Sequence, residues 1–315
     1  MLIGVFFIAV ASISWGTTGA TMTLLAKETA IGPLLVGWVR VAVAAPCLLL
    51  AAVLNEMMTV PRVAGHRRVP AGAGWAPREL PSYALLGLAM AAYQVCYFWA
   101  VTLTGVAVTA LLAICSAPLL IAILAVLVLK ERLRPAVRVA LGMAVIGTAL
   151  LVIGPRGPGE VAGHFVGGAL LALGAGVSYA VYAVAAKGIL TRIAPLPVAA
   201  MTFSLAAVFL APVLLGERAP LRLLATGWPL LLYLGMGPTA AAYVLFTVGL
   251  RRVPATVAGI VSLLEPLTAT LLGVVAFGES LGPLGVAGAV LLLASLGLLV
   301  APATSRDRSR GSSRG

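Results

Sequence analysis

The chain has 315 residues, of which 62% are hydrophobic and only 10% are charged, and its mean hydropathy is +1.12. A soluble domain of this length cannot hide so much apolar surface from water, so the composition excludes a soluble protein and indicates a membrane protein. The formal net charge of +12 does not indicate nucleic-acid binding, because the basic residues gather in the loops on one side of the predicted membrane.

Ten apolar stretches follow one another along the chain. Each is about 20 residues long, which is the length that a helix needs to cross the hydrocarbon core of a bilayer, and backbone groups in lipid must be paired within a helix. The first stretch is too long for a signal peptide and no basic segment precedes it, so we interpret it as the first span. The predicted spans are 3–26, 33–55, 80–103, 106–129, 136–154, 165–190, 196–216, 227–250, 254–277 and 283–301.

The basic residues fix the predicted orientation. With ten spans the loops alternate between two sides of the membrane, and the basic loop residues divide 16 to 4 between them. The larger group is Arg62, Arg67, Arg68, Arg78, Lys130, Arg132, Arg134, Arg138, Lys187, Arg192, Arg251, Arg252, Arg306, Arg308, Arg310 and Arg314, and the smaller is Lys27, Arg156, Arg218 and Arg222. The positive-inside rule places the larger group and both termini in the cytoplasm. The sequence therefore predicts a multi-pass protein of the cytoplasmic membrane.

A motif occurs once in each half of the chain. Pro118, Glu131, Leu133 and Pro135 are followed 148 residues later by Pro266, Glu279, Leu281 and Pro283. Each half holds five spans, and because five is odd the second half is inverted relative to the first. The predicted fold is an all-α integral membrane protein of ten transmembrane helices, arranged as two inverted five-helix repeats over residues 1–155 and 156–302. Residues 303–315 are predicted to form a disordered basic tail. Many secondary transporters consist of inverted repeats around a central site, so this organisation indicates transport.

The motifs resemble those of the EamA-type drug/metabolite transporters, over about residues 3–302. Members of that family carry Trp-Gly in the first helix, an arginine in the second, Ala-Pro and Glu-Arg-Leu in the fourth, and Glu-Pro and Gly-Glu in the ninth. The matching residues are Trp15–Gly16, Arg40, Ala117–Pro118, Glu131–Arg132–Leu133, Glu265–Pro266 and Gly278–Glu279. One departure is Thr23, where many members have a lysine. The resemblance implies export of small metabolites, often amino acids or related compounds, through a central cavity.

Glu265 is the strongest candidate for a functional residue. It lies near the middle of the ninth predicted span, where an ionisable group costs at least ~2.5 kcal/mol and must face a cavity or a partner. A titrating carboxyl at this depth suits proton coupling. Pro266 and its counterpart Pro118 lack the backbone donor of a regular helix, and paired interruptions at corresponding positions point to a binding site. The alternative is that Glu265 only joins helices by hydrogen bonding.

Arg40 is the second charged candidate, about 10 Å into the second predicted span. It can anchor the helix at the membrane surface, pair with a carboxylate, or bind a substrate carboxylate with two nitrogens. A third interruption is Pro238 in the eighth span. The other cavity candidates are aromatic or polar residues near the midplane, which suit a moderately polar organic substrate but can also be packing residues: Trp15, Thr18, Tyr93, Gln94, Tyr97, Tyr179, Tyr182 and Tyr243.

Other interpretations depend on weaker patterns. Glu131 and Glu279 precede first-turn prolines, so we expect them to fix loops and helix ends. Stripes of small residues, such as Gly168, Ala172 and Gly176, allow close helix packing and would also suit a homodimer. The three cysteines fit neither a disulfide framework nor a zinc site.

No enzyme is expected. His66 and His164 fall in or beside loops, and neither HExxH nor GxSxG is present. No cofactor or metal is predicted, and an ATP-driven pump is not expected, because the sequence has no GxxxxGK[ST] loop. The predicted partners are a small-molecule substrate, the lipid bilayer and, as the coupling ion, protons. A lipid-carrier flippase or an accessory membrane subunit is the alternative function.

Overall fold

The computed structural model describes residues 1–29, 31–58, 77–153, 165–216, 220–277 and 282–300. Every regular element in these ranges is helical. The α-helices are α1 (Leu2–Glu28), α2 (Pro33–Met58), α3 (Leu80–Val128), α4 (Pro135–Ile153), α5 (Phe165–Ile189), α6 (Pro195–Leu210), α7 (Pro220–Gly235), α8 (Ala242–Leu250), α9 (Ala255–Val261), α10 (Leu264–Phe277) and α11 (Pro283–Val300). Several predictions lie outside the described residues: those for Gly278, Glu279, His66, His164 and the tail 303–315.

The described helices include seven that are long and apolar enough to cross a membrane. They are Leu2–Met22, Pro33–Met57, Pro77–Leu103, Val166–Ile189, Pro195–Gly216, Ala225–Leu250 and Ala255–Ala276. The segments Leu112–Val128, Pro135–Leu150 and Pro283–Leu298 are apolar helices of less than 18 residues. The predicted count of ten spans thus stays a prediction for these three.

The outer faces of the helices are apolar. On α1 the exposed large side chains are Ile3, Phe6, Val10 and Ile13, which follow one another at intervals of three or four residues and so share one helix face. Apolar side chains on the outside of a bundle are stable in lipid rather than in water. The exposed face of α1 therefore fits a multi-pass membrane protein.

Helix α3 differs from the prediction of two separate spans, because helical structure is continuous from Leu80 to Val128. A straight helix of this length would measure about 74 Å, far more than the thickness of a bilayer. Cys96 and Ser116 nevertheless lie against the same turn of α5, at Gly174 and Gly176 respectively. Both limbs of α3 therefore pack against this turn of α5, and the chain reverses between them, in the region 104–111.

Both limbs of α3 begin or end at one end of the bundle. Arg192, between α5 and α6, donates to Glu79 at the start of α3. Five residues earlier, Lys187 lies within electrostatic range of Glu131, which follows α3. We call this end of the molecule the Glu131 end.

Small residues bring helices together inside the bundle. Ala140, Ala144 and Thr148 of α4 are fully buried, and a Cβ atom added to the neighbouring Gly147 would lie 2.9 Å from the Gly288 carbonyl oxygen of α11. Helices α4 and α11 thus pack backbone to backbone, as the small-residue pattern predicts. This stripe of α4 therefore serves packing within the chain.

Candidate functional site

Eight aromatic side chains from five helices form one continuous cluster inside the bundle. The ring centroid of Trp15 lies 4.8 Å from that of Tyr243 and 6.3 Å, edge to face, from that of Tyr179. Tyr179 lies 6.0 Å from Tyr93, which stacks on Tyr97 at 5.7 Å. The aromatic cluster consists of Trp15, Tyr93, Tyr97, Tyr179, Tyr182, Phe203, Tyr243 and Phe246. The structure therefore brings together all six aromatic residues that the sequence predicts for a cavity.

Two members of the cluster were not predicted. The Phe203 ring lies 4.6 Å from Tyr243, and the Phe246 ring lies 5.3 Å from Trp15. Phe246 is three residues after Tyr243, so the helical repeat puts both on one face of α8 and provides a signal. No sequence pattern singles out Phe203, since its role depends on how α6 packs against α8.

Three polar atoms at this site are buried without a hydrogen bond among the described residues. They are Trp15 Nε1, Thr18 Oγ1 and Tyr182 Oη, while the Tyr179 hydroxyl lies within hydrogen-bonding range of the Ser262 side chain. Leaving such an atom unpaired costs about 1–3 kcal/mol, so buried polar atoms in proteins nearly always have a partner. These three atoms, on α1 and α5, are where water or a polar ligand would gain most by binding.

Arg40 is held in place by a helix irregularity at Pro238. Met236–Ala241 form a π-helical turn between α7 and α8. Pro238 has no N–H to donate to the carbonyl of Leu234, four residues earlier, and the Thr239 hydroxyl donates to it instead at 2.7 Å. Arg40 Nε donates to the same hydroxyl oxygen at 3.2 Å. Among the described residues, the two terminal nitrogens of Arg40 have no such partner, so they are available to a ligand.

Glu265 lies directly after a break in the helical chain. Helix α9 ends at Val261 and α10 begins at Leu264, and the Glu265 N–H donates to the Ser262 carbonyl at 3.0 Å. Pro266 follows in the first turn of α10, where the missing N–H of a proline is tolerated. The interruption expected at Pro266 therefore lies three or four residues before it, at Ser262 and Leu263.

Arg40 and Glu265 lie on different halves of the chain and face the same region. The Glu265 carboxyl is within electrostatic range of the Arg40 guanidinium and of the tyrosines at positions 93, 97, 179 and 243. Within the described ranges, no ion pair of 4.0 Å or less joins Arg40 to Glu265, and both side chains are partly exposed. Two unpaired opposite charges beside an aromatic cluster can bind the two ends of a zwitterion.

Gln94 and Pro118 have packing contacts. The buried Gln94 Nε2 donates to the Gly37 carbonyl at 3.1 Å, which joins α3 to α2. Helix α3 runs through Pro118 without a break, unlike the chain before Pro266. A Cβ atom added to Gly259 of α9 would lie 3.5 Å from Pro118 Cα, so this proline packs against the short helix that precedes Glu265.

The profile of the EamA-like transporter family matches the chain twice, over residues 2–153 and 166–301. The chain belongs to the EamA-like transporter family. Family membership confirms the resemblance inferred from the paired motifs and indicates a transporter rather than an enzyme.

Relatives agree with this assignment. The chain is 37% identical over 302 residues to the uncharacterized transporter YwfM of Bacillus subtilis, covering 96% of this chain and 94% of that protein. It is 31% identical over 207 residues to the aromatic amino acid exporter YddG of Ancylobacter novellus, covering 64% of this chain and 69% of the exporter. A solved crystal structure has the same fold, with a TM-score of 0.73 at 22% identity over 94% of this chain and 96% of that one.

Proposed function

We propose that this protein is a secondary transporter that exports amino acids or related small metabolites across the cytoplasmic membrane. The observation that carries the proposal is the combination of Arg40, Glu265 and unpaired polar atoms around one aromatic cluster inside the bundle. Unpaired hydrogen-bond donors destabilise a hydrophobic core, whereas a binding cavity requires a few polar groups among its apolar walls.

The chemistry of the site matches that of an amino acid. The two terminal nitrogens of Arg40 suit a carboxylate, which guanidinium groups bind with two parallel hydrogen bonds. Glu265 and the faces of the surrounding tyrosine rings suit an ammonium group. The apolar ring surfaces of Trp15 and Tyr243 suit the substrate side chain. The exporter YddG, a relative that is named for aromatic amino acids, supports the same substrate class.

Transport would proceed by alternating access between two inverted five-helix halves. The two separate matches to the family profile support this division, and the central site takes Arg40 from the first half and Glu265 from the second. Because Glu265 is the acidic residue among the site candidates, we assign to it the exchange of a proton for substrate. In the substrate-free state a proton on Glu265 would remove an uncompensated charge from the cavity.

The orientation follows from the distribution of basic residues. At the Glu131 end the described chain carries Arg78, Lys130, Lys187, Arg192 and Arg251, among others. The N-terminus lies at the same end, because Arg252 stands 5.7 Å above the ring of Phe7. We place this end and both termini in the cytoplasm.

Counterflow transport in proteoliposomes tests the function. Vesicles loaded with one amino acid from a panel, with and without a pH gradient, would be supplied with the labelled compound outside. Specific uptake that responds to the gradient would support a proton-coupled amino-acid exporter. Uptake indifferent to pH would leave a facilitator without proton coupling. No uptake of any compound by folded protein would reject the amino-acid proposal and favour a lipid-linked substrate or an accessory role.

A further inference from the structure

Glu131 binds the first turn of α9 from the opposite half of the chain. Its Oε1 accepts the Ala255 N–H at 2.7 Å, and its Oε2 accepts the Thr256 hydroxyl at 3.0 Å and the Thr256 N–H at 3.4 Å. The first N–H groups of a helix have no partner within the helix, and α9 has no side-chain cap of its own. A glutamate of the first half thus caps a helix of the second, which confirms the predicted helix-end role of Glu131.

The backbone after α3 directs Glu131 toward this contact. Lys130 has a φ of 56°, a left-handed conformation that commonly ends a helix. The Glu131 N–H then donates back to the Ala125 carbonyl at 3.1 Å. The turn therefore leaves the carboxylate free to bind another helix instead of its own.

The capped helix leads directly to the candidate site. Helix α9 has seven residues, and Glu265 follows it after the turn at Ser262 and Leu263. A short helix forms few hydrogen bonds within itself, so its position depends on its neighbours, and all seven residues of α9 are buried. Glu131 binds the N-terminal end of α9. At the rise of an α-helix, the segment from Ala255 to Glu265 spans about 15 Å.

A second bridge joins the two halves at the same end. Arg192 donates to Glu79 Oε2 from Nε at 3.2 Å and from a terminal nitrogen at 2.9 Å, and Glu79 is buried. Nearby, Lys187 Nζ donates to the carbonyls of Leu250 at 2.8 Å and Arg251 at 3.3 Å. Hydrogen bonds to charged groups are stronger than neutral ones, so the Glu131 end is firmly closed in this conformation.

The two sides of the candidate site differ in packing. Toward the Glu131 end, Tyr182, Phe203 and Phe246 are among the largest fully buried side chains, so large aromatic side chains fill this side of the site in the described part of the chain. Toward the opposite end, Tyr233 is 44% exposed and hydrogen-bonds Thr17 at 2.8 Å, while Tyr97 and Arg40 are partly exposed. The conformation is closed at the Glu131 end.

We propose that Glu131 is a positioning residue for transport, whose carboxylate latches the two halves together at this end and must release α9 when the site opens there. This inference depends on the proposed alternating access. The bond is well suited to release, because water can solvate both the carboxylate and the exposed N–H groups once they separate.

Distance measurements by pulsed electron paramagnetic resonance would test the latch without a known substrate. Spin labels would be attached at Arg138→Cys on the first half and Thr191→Cys on the second, both exposed at the Glu131 end, after replacement of Cys47, Cys96 and Cys115 by alanine. In nanodiscs, Glu131→Gln should raise the ratio of long to short distances by about tenfold, as expected for a lost hydrogen bond to a charged group. Thr256→Val should give a smaller shift in the same direction.

Thr247→Val is the matched control, because among the described residues the Thr247 hydroxyl bonds only to carbonyls of its own helix α8, at 2.8 Å and 3.0 Å. It should leave the distances unchanged. If Glu131→Gln is too unstable to purify, the isosteric Thr256→Val still tests the proposal. Distances in Glu131→Gln and Thr256→Val equal to those of the control, in protein that transports, would overturn the latch. Shifted distances in protein that transports none of the panel would support the latch and reject the proposed substrate class.

Discussion

Gly16 of α1 lies directly against the backbone of Glu265. A Cβ atom added to Gly16 would stand 2.7 Å from the Glu265 carbonyl oxygen and 2.5 Å from Thr268 Cβ, distances too short for any real side chain. The absence of a side chain at residue 16 therefore allows α1 to reach the segment that carries the candidate charge. The same close approach sets the positions of Trp15 and Thr18 beside it.

Replacement of Gly16 tests this contact. Gly16→Ala should force α1 and α10 apart and lower the free energy of unfolding by about 1–3 kcal/mol, as overpacking of an interior does. Gly19→Ala is the control, since a Cβ atom there meets nothing within 4 Å. The measurement is the midpoint of thermal unfolding in detergent. Equal midpoints for the two variants would contradict the close approach.

Glu265→Gln separates the two interpretations of this carboxyl. The amide has the same shape but cannot take up or release a proton, so the variant should fold normally and transport with no dependence on pH. Counterflow at several pH values measures the effect, with Glu56→Gln at the end of α2 as an acidic-residue control. A Glu265→Gln protein with the pH dependence of the wild type would show that proton exchange occurs elsewhere.

The relay from Leu234 through Thr239 to Arg40 predicts an effect on stability. Thr239→Val leaves both the Leu234 carbonyl and Arg40 Nε without their partner, which should lower the unfolding free energy by about 1–3 kcal/mol. The control is Thr270→Val, whose hydroxyl donates only to Pro266 of its own helix at 2.9 Å. Thermal unfolding of both variants tests this prediction. A smaller loss of stability in Thr239→Val than in the control would contradict the relay.

The unpaired hydroxyl of Tyr182 should matter for transport and not for folding. Tyr182→Phe removes a hydroxyl that has no hydrogen-bond partner among the described residues, so stability should stay the same or rise. If this hydroxyl binds substrate, kcat/KM should fall by roughly 2- to 10-fold, the value of an ordinary hydrogen bond. Tyr233→Phe, which loses its bond to Thr17 outside the cluster, should show a loss of stability. Unchanged transport in Tyr182→Phe would assign this hydroxyl to packing.

Labelling of single cysteines tests the orientation. Arg78→Cys at the Glu131 end and Leu215→Cys at the opposite end replace exposed side chains, at 78% and 90% exposure respectively. In intact cells, a maleimide that cannot cross membranes should label only Leu215→Cys, and disruption of the cells should expose Arg78→Cys. The reverse pattern would place the Glu131 end outside the cell and invert the predicted topology.

Much of the site could be predicted because polar groups are rare in apolar helices. The sequence singles out Arg40, Glu265 and the six aromatic candidates, because charged and polar side chains are rare at lipid-facing positions. Gln94 stood out for the same reason, but its amide joins two helices, and periodicity along one helix cannot show which neighbour a side chain meets. Likewise, the sequence of α3 predicts two spans. In the structure the turn between them is helical, and the contacts of α3 with α5 show that the chain reverses there.

The sequence by itself determined the membrane class, the predicted spans and the repeated motif, because apolar length and charge asymmetry are local properties. The partners of those residues were decided by tertiary structure alone. Glu131 and Thr256 are 125 residues apart, and Arg40 and Thr239 are 199 apart, so both bonds exist only because the two halves fold against each other. Whether a polar residue in a membrane helix supports the fold or remains open to a ligand depends on such long-range partners, which no local pattern specifies.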